Sequence, residues 1–273
     1  MKKGNWPKLI IEVLMWGLTL IIFLPLYFVF VNSLKSGMEV SAMSLSLPSV
    51  FHWENYKEVF QSGNIWMAFL NSLIFSFGSI IVCSVLSAMA SYIIVRRKSR
   101  MNSVIFNLFL IGLIAPMNMV TTFQFMKALH FINTYHGLVL LYAAYFMPFT
   151  IFLYNGFIRN LPVDLDEAAT IDGSGPLRRF FVVIFPLLKS VTVTALVINF
   201  VNCWNDFMFP LYFITQTDKW GVVLLLFQFT GTFYGQDQLL FASALVIMVP
   251  TLIVYLFGQK YIISGMTAGA VKG

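Results

Sequence analysis

Long apolar stretches constrain the fold of this chain more than any other feature of its sequence. A helix that crosses the hydrocarbon core of a bilayer needs about 20 mostly apolar residues. Only 10% of the 273 residues are charged and 59% are apolar, whereas about a quarter of a soluble domain is charged. The sequence therefore predicts an all-α integral membrane protein with six transmembrane helices. The predicted spans cover about 9–31, 67–95, 104–125, 137–158, 181–213 and 239–258.

Basic residues cluster on one side of these spans and predict the orientation of the chain. An excess of Lys and Arg marks cytoplasmic segments, and every loop satisfies this rule if both termini are cytoplasmic. We therefore expect a multi-pass protein of the inner, or cytoplasmic, cell membrane that contacts membrane lipid. The basic segment 1–8 resembles the start of a signal peptide, but a long apolar run without a small-residue cleavage site follows it, which predicts an uncleaved first helix. The cytoplasmic clusters are Lys2, Lys3 and Lys8; Arg96, Arg97, Lys98 and Arg100; Arg159, Arg178, Arg179 and Lys189; and Lys260 and Lys272.

Several classes of function find no support in the sequence. The net charge of +6 comes from residues that flank spans, without a basic face interleaved with aromatic residues, so no nucleic acid is expected as a partner. Cys83 and Cys203 lie in predicted spans, which argues against a disulfide framework. His52, His130 and His136 match no metal-binding spacing, so no metal site is expected.

Catalytic motifs are missing as well. The chain has no GxxxxGK[ST] phosphate loop, no GxSxG elbow and no kinase signature. We therefore do not expect an enzyme, and no cofactor is expected on this chain.

Some secondary features of the spans and loops carry structural expectations. The segment 51–60, FHWENYKEVF, has helical apolar spacing and predicts a surface helix that either lies on the membrane or packs on the spans. Pro116 and Pro148 predict local bends in the third and fourth spans. Small residues of the second span share one helical face and predict a seam for close helix packing: Ser84, Ser87, Ala88 and Ser91.

A polar insert, Leu161–Ser190, separates the fourth and fifth spans on the predicted cytoplasmic side. Pro162 suits the first turn of a helix, and a short helix is expected from about 162 to 172. Three acidic residues then lie near the positive end of the helix dipole: Asp164, Asp166 and Glu167. Ala168 and Ala169 leave little side-chain bulk beside them, so another protein could pack close to this helix. The alternative is a simple connector with well-formed helix caps.

The second half of the insert predicts another helix. Gly173 suits the left-handed residue that ends the first helix, and Ser174 with Pro176 would start the second. This helix should lie along the inner membrane face and lead through Pro186 into the fifth span. Its expected apolar face contains Leu177, Phe180, Phe181 and Ile184, with Arg178 and Arg179 directed to water and headgroups.

Polar residues in the fifth span are candidates for a solute pathway, because polar groups in a bilayer usually face a bundle interior or a water-filled cavity. Asn199, Asn202 and Asn205 recur every three residues, and Asp206 follows them. They would hydrogen-bond a polar solute in transit or form interhelical hydrogen bonds. Trp204 would stack on a ring of that solute or anchor at the outer interface.

The insert resembles the EAA loop of ATP-binding cassette (ABC) importer permeases, in the order Glu167-Ala168-Ala169, Asp172-Gly173 and then Pro186. The resemblance covers most of the chain, and it is to the carbohydrate-uptake branch, of the maltose-permease G type. The IFP at 184–186 replaces the more usual apolar-Leu-Pro of that branch. The other family-like segments are NSLKSG, ENYKEVF, NSLIFS, WNDFMFPL and the ending YIISGMTAGAVKG.

This resemblance implies a transport component, with residues 1–273 as one permease domain whose core is about 67–260. It implies a second permease subunit in a heterodimer, two ATPase subunits that hold ATP and Mg, an extracellular solute-binding protein and a carbohydrate substrate. The implied ATPase-coupling residues are Glu167, Ala168, Ala169, Asp172, Gly173 and Pro186, and the implied tail residues at the ATPase interface are Gly265, Gly269 and Lys272.

Two other classes of membrane protein stay open from the residues alone. A secondary transporter driven by an ion gradient would show internal repeats and buried ion-coupling carboxylates. No repeat is visible, and Asp206 is the main acid outside the insert and loops. A non-transporting scaffold would leave the polar stripe of the fifth span unexplained.

Overall fold

The computed structural model describes the backbone of residues 6–61, 65–232 and 236–270, and within these ranges the regular structure is helical. Side chains are described for 8–61, 65–227 and 236–261. Helices α1 to α7 are Trp6–Ser33, Gly37–Val40, Glu54–Gln61, Ile65–Arg96, Arg100–Ile114, Met119–Ala128 and Tyr135–Ile158. Helices α8 to α14 are Asp164–Ile171, Pro176–Arg178, Phe185–Leu187, Lys189–Trp204, Met208–Phe213, Val222–Thr232 and Asp237–Ala270.

Four of the predicted spans are confirmed as single helices long and apolar enough to cross a membrane. Within the described residues they are Lys8–Ser33, Ile65–Arg96, Tyr135–Ile158 and Asp237–Tyr261. The predicted stretches 104–125 and 181–213 are not continuous helices, which corrects the sequence-based boundaries.

The predicted third span is interrupted between α5 and α6. Helix α5 ends at Ile114, and α6 begins at Met119. Pro116 in the break lacks a backbone N–H, and Asn118 starts a new helix because its side chain accepts a hydrogen bond from the Thr121 N–H at 3.0 Å.

The predicted fifth span is bent by 76° between Pro176–Leu187 and Lys189–Trp204, so a fifth crossing is formed only if this bent pair counts as one span. Its second helix, α11, ends at Trp204, earlier than the predicted end at 213, and a separate helix, α12, begins at Met208.

The chain forms two compact units, and the first consists of Met1–Trp66 with Leu225–Val249. The most apolar part of α1 buries none of its residues inside the chain, as suits a lipid-facing helix. The loop after α1 is held by Lys35, which is 1% exposed and donates to the Ser44 carbonyl at 2.7 Å. The surface helix predicted at 51–60 is present as α3, with Val59 fully buried and Trp53 61% exposed.

The second unit consists of Met67–Leu224 with Pro250–Gly273. The predicted seam of small residues on α4 is confirmed as a packing face, because Ser84, Ser87, Ala88 and Ser91 are all buried. Ser91 donates to the Ile151 carbonyl of α7 at 3.2 Å, so the two helices meet closely along this face. Both candidate functional regions lie in this unit.

Candidate coupling insert and translocation cavity

The insert begins with α8, whose C-terminal end is closed by a glycine turn. Gly173 has φ = 74°, the left-handed conformation predicted for it. The Ser174 N–H donates to the Ala169 carbonyl at 2.9 Å, and the Gly173 N–H donates to the Thr170 carbonyl at 3.0 Å. This pair of bonds is a Schellman motif, so local sequence is sufficient to end α8 here.

The second half of the insert is a helix that changes its hydrogen-bond pattern along its length. It starts at Pro176 in α9, continues as a π-helix over Arg179–Ile184 and ends in α10. Pro186, which has no N–H to donate, lies in α10, directly after the wider π turns and two residues before the bend. The insert therefore is a helix, a tight turn and a second helix that runs at a steep angle to α11.

The apolar face predicted for this second helix is only half buried. Phe180 is 3% exposed and Ile184 is fully buried, and both pack in one cluster with Tyr154 of α7. Leu177 is 65% exposed and Phe181 is 44% exposed. These two apolar side chains are therefore available for contact with lipid or with another protein.

The coupling residues implied for α8 divide into exposed and buried positions. Glu167, Ala168 and Asp172 are exposed. Ala169 is only 5% exposed, which corrects the expectation that both alanines offer a surface to another protein. Ile171, which no sequence pattern singled out, is 86% exposed and adds an apolar side chain to the same surface.

Asp166, one of the three acids predicted near the start of this helix, is turned inward. It is 7% exposed, and its Oδ2 accepts from Nε of Arg96 on α4 at 2.9 Å. The Tyr92 hydroxyl, also on α4, donates to Asp166 Oδ1. Arg179 corrects a related expectation, because it is turned inward and donates to Thr170 Oγ1 at 2.7 Å instead of facing headgroups.

A groove of about 310 Å³ lies beside these residues, between α8 and the π-helix. Glu167 and Ile171 form its exposed edge, and Thr170 and Arg179 line it as well. An exposed carboxylate next to an exposed branched apolar side chain suits a partner surface that offers a cation and an apolar contact.

A larger cavity of about 610 Å³ adjoins the break between α5 and α6 and is also lined by α7 and α11. Asp206 in its wall accepts from the Tyr142 hydroxyl at 2.7 Å and from the Phe209 N–H at 3.0 Å. The wall also holds Tyr145, which is 53% exposed and lies edge-on to Phe209 with ring centroids 5.1 Å apart. No sequence pattern singles out Tyr145, because its position in the cavity wall follows only from the folded position of α7.

The polar stripe predicted on the fifth span is split by this cavity. Asn199 and Asn202 line it together with Asp206, but Asn205 is not in its wall. Asn199 is 1% exposed and donates to Thr150 Oγ1 at 3.0 Å, and its Oδ1 has no partner in the described part of the chain. Asn202 is exposed and donates to the Ile198 carbonyl of its own helix.

Trp204 occupies neither position expected for it, which corrects the sequence-based prediction. It is 1% exposed and packs against Phe200 and Phe69, with ring centroids 5.4 and 5.7 Å away. It is therefore part of the packed interior in this structure.

The C-terminal residues implied at an ATPase interface are described only in part. Gly265 and Gly269 fall within α14, whose backbone is helical through Ala270. Lys272 lies outside the described residues.

Comparison with known proteins defines the class. Residues 80–268 match the family described as the binding-protein-dependent transport system inner membrane component. The chain belongs to this family and is thus a membrane component of a transport system.

Individual relatives cover almost the whole chain. The chain is 33% identical to the melibiose/raffinose/stachyose import permease protein MelC of Bacillus subtilis, over 92% of both chains. It is 34% identical, over 93% of both chains, to the multiple sugar-binding transport system permease protein MsmG of Streptococcus mutans. The fold is that of a solved bacterial ABC transporter involved in alginate import, with a TM-score of 0.85 at 19% identity over 96% of this chain and 98% of that one.

Proposed function

We propose that this protein is the transmembrane permease subunit of an ATP-driven ABC importer for a sugar or a related carbohydrate. The observation that carries the proposal is the exposed edge of α8, which presents Glu167, Ala168, Ile171 and Asp172 in a chain that is otherwise mostly apolar. Relatives named for the import of melibiose and of multiple sugars support the carbohydrate class.

The protein forms half of a translocation pathway, and a second permease subunit forms the other half. Two ATPase subunits, which bind ATP and Mg, supply the energy, and a solute-binding protein delivers the carbohydrate. The basic clusters support an orientation with both termini, the insert and the ATPases on the cytoplasmic side.

The ATPase docks on the exposed edge of α8. Glu167 pairs with a cation of the ATPase, Ile171 fills an apolar contact, and Gly173 ends the helix so that Asp172 stays at the surface. The C-terminal tail, including Gly265, Gly269 and Lys272, reaches the ATPase interface. Pro186 sets the geometry by which the insert meets the transmembrane helix α11.

The carbohydrate passes the cavity at Asp206. A carboxylate accepts hydrogen bonds from sugar hydroxyls, an amide both donates and accepts them, and an exposed tyrosine ring offers a face on which a sugar ring can pack. Asp206, Asn202 and Tyr145 supply these three groups in one wall.

The experiment that tests the proposal has two steps. The tagged chain is first purified from its native membrane in mild detergent, and retained proteins are identified by mass spectrometry. An ABC ATPase, a second permease and a solute-binding protein are expected. Recovery of the chain alone, together with uptake driven by an ion gradient in vesicles, would contradict the proposal.

The second step tests docking through the insert with Gly173→Leu. This substitution meets open space but strains a left-handed residue by about 1–2 kcal/mol, so it should distort the end of α8 and uncouple ATP hydrolysis from uptake. Gly175→Leu is the matched control, because Gly175 also faces open space and has φ = −64°. Normal uptake per ATP in Gly173→Leu would exclude the docking role.

A further inference from the structure

Two adjacent acidic residues of α8, Asp166 and Glu167, lie in different surroundings. Glu167 is exposed at the edge of the insert, whereas Asp166 is buried and paired with Arg96. The side chains of the pair are 10% and 14% exposed, so both charges are largely removed from water. Removing one partner of such a pair leaves the other charge uncompensated, so the pair resists separation.

The guanidinium of Arg96 holds more than the carboxylate. Its Nη1 and Nη2 atoms donate to the Leu161 carbonyl at 3.2 Å, and Nη2 also donates to the Pro162 carbonyl at 3.3 Å. Arg96 is the last residue of α4. Arg96, at the end of a transmembrane helix, therefore bonds both to the segment that precedes α8 and to the first turn of α8.

The other side of α8 is held to the π-helix. Thr170 donates to the Asp166 carbonyl at 2.7 Å, and Arg179 donates to Thr170 Oγ1 at 2.7 Å. Phe180, next to Arg179, packs against Tyr92 of α4 with ring centroids 5.6 Å apart. Asp166 thus lies where α4, α8 and the π-helix meet.

We propose that Arg96 and Asp166 are positioning residues that transmit movement of α8 to the transmembrane helix α4. A partner that displaces the exposed edge of α8 must either move the end of α4 with it or separate a buried ion pair and its additional hydrogen bonds. Separation is the costlier alternative, so α4 follows α8. This inference rests on the proposed docking of an ATPase on the insert.

The test uses the complete complex, with its partner permease, ATPases and solute-binding protein, in proteoliposomes. ATP hydrolysis and sugar uptake are measured together for Asp166→Asn, with Asp166→Glu as the conservative variant. Asp164→Asn is the matched control, because Asp164 is an exposed acid in the first turn of the same helix. We expect uptake per ATP to fall about tenfold in Asp166→Asn, to recover in part in Asp166→Glu and to stay unchanged in Asp164→Asn.

Arg96→Lys is a second variant, included in case Asp166→Asn fails to assemble. It keeps a cation opposite Asp166 but loses the fork that reaches Leu161 and Pro162 at the same time. Assembled complex with normal ATP hydrolysis and reduced uptake per ATP supports the proposal. Unchanged uptake per ATP in both Asp166→Asn and Arg96→Lys overturns it. So does a parallel loss of hydrolysis, uptake and assembled complex in both variants, because that pattern indicates a merely structural pair.

These outcomes are distinct from failure of the proposed function. If the unmodified chain binds no ATPase, docking itself is wrong. If the unmodified complex couples hydrolysis to uptake and the Asp166 and Arg96 variants do so equally well, only the transmission role is wrong.

Discussion

The insert and the cavity each contain a carboxylate that accepts a hydrogen bond from a tyrosine, but the two carboxylates differ in their other partners. Asp166 accepts from Tyr92 and is paired with Arg96. Asp206 accepts from Tyr142 and from backbone N–H groups, among them that of Phe209 at 3.0 Å. The first carboxylate has a cation beside it, and the named donors to the second are neutral.

The two carboxylates are therefore suited to different tasks. Asp166 is buried beside a cation on another helix, so it holds α8 and α4 in position. The named donors to Asp206 carry no charge, and Asp206 lies in the wall of a 610 Å³ cavity. The same residue type therefore fixes geometry in one region and offers an acceptor in the other.

The largest expected effect is on stability. Asp166→Ala leaves Arg96 as an unpaired buried cation, and we expect a loss of about 3–5 kcal/mol in the free energy of unfolding. Asp206→Ala removes an acceptor from neutral donors and should cost about 1–3 kcal/mol. Denaturant unfolding in detergent compares the two. Equal losses would remove the distinction between the two carboxylates.

A smaller effect is expected on transport. Asn202→Leu removes a polar group from the cavity wall and should lower uptake about two- to tenfold, the value of one neutral hydrogen bond. Asn205→Leu is the matched control, because Asn205 is on the same helix end, is exposed and lies outside that wall. The measurement is the initial uptake rate of the purified complex with each variant. Equal reductions in both variants would exclude the cavity as the reason.

The smallest effect concerns the carboxylate of Glu39 in α2. Hydrogen bonds from the side chain and backbone of Ser49 lower the pKa of Glu39. Because the pKa of Glu39 is depressed in the folded state, these hydrogen bonds stabilise the fold fully above the ordinary pKa of a glutamate. Their contribution to stability is lost as the pH falls through the folded pKa. Exchange of the Ser49 amide proton, corrected for its intrinsic rate, should then accelerate. The exchange of an amide without a carboxylate partner serves as the reference, and the same pH response there would contradict the prediction.

Local signals predicted the insert well. Gly173 and Pro176 predicted the turn and the second helix because caps depend on neighbouring residues, and the glycine turn forms as expected. Two details were wrong: α8 begins at Asp164, so Pro162 precedes its first turn, and Gly175 instead of Ser174 is the cap of α9. The same signals failed to distinguish Asp166 from Glu167. Both are acids in the first turn of α8, and only contacts with residues about 70 positions earlier turn one of them inward.

The candidate cavity shows the same limit. The spacing of Asn199, Asn202 and Asn205 depends on the helical repeat alone, and it grouped all three. Asn199 and Asn202 line the cavity, but Asn205 does not. Trp204 was misplaced and Tyr145 was missed, since burial at these positions depends on how α4, α7 and α11 pack together.

The amino-acid pattern alone was enough to predict a membrane protein with mainly helical apolar stretches and a polar insert between them. These properties depend on hydrophobicity and on interactions between near neighbours. The burial of Asp166 against Arg96, and the place of Asp206 with Tyr145 in a cavity wall, became evident only from the folded chain. The partners of these side chains are distant in sequence, so helix packing and not local pattern brings them together.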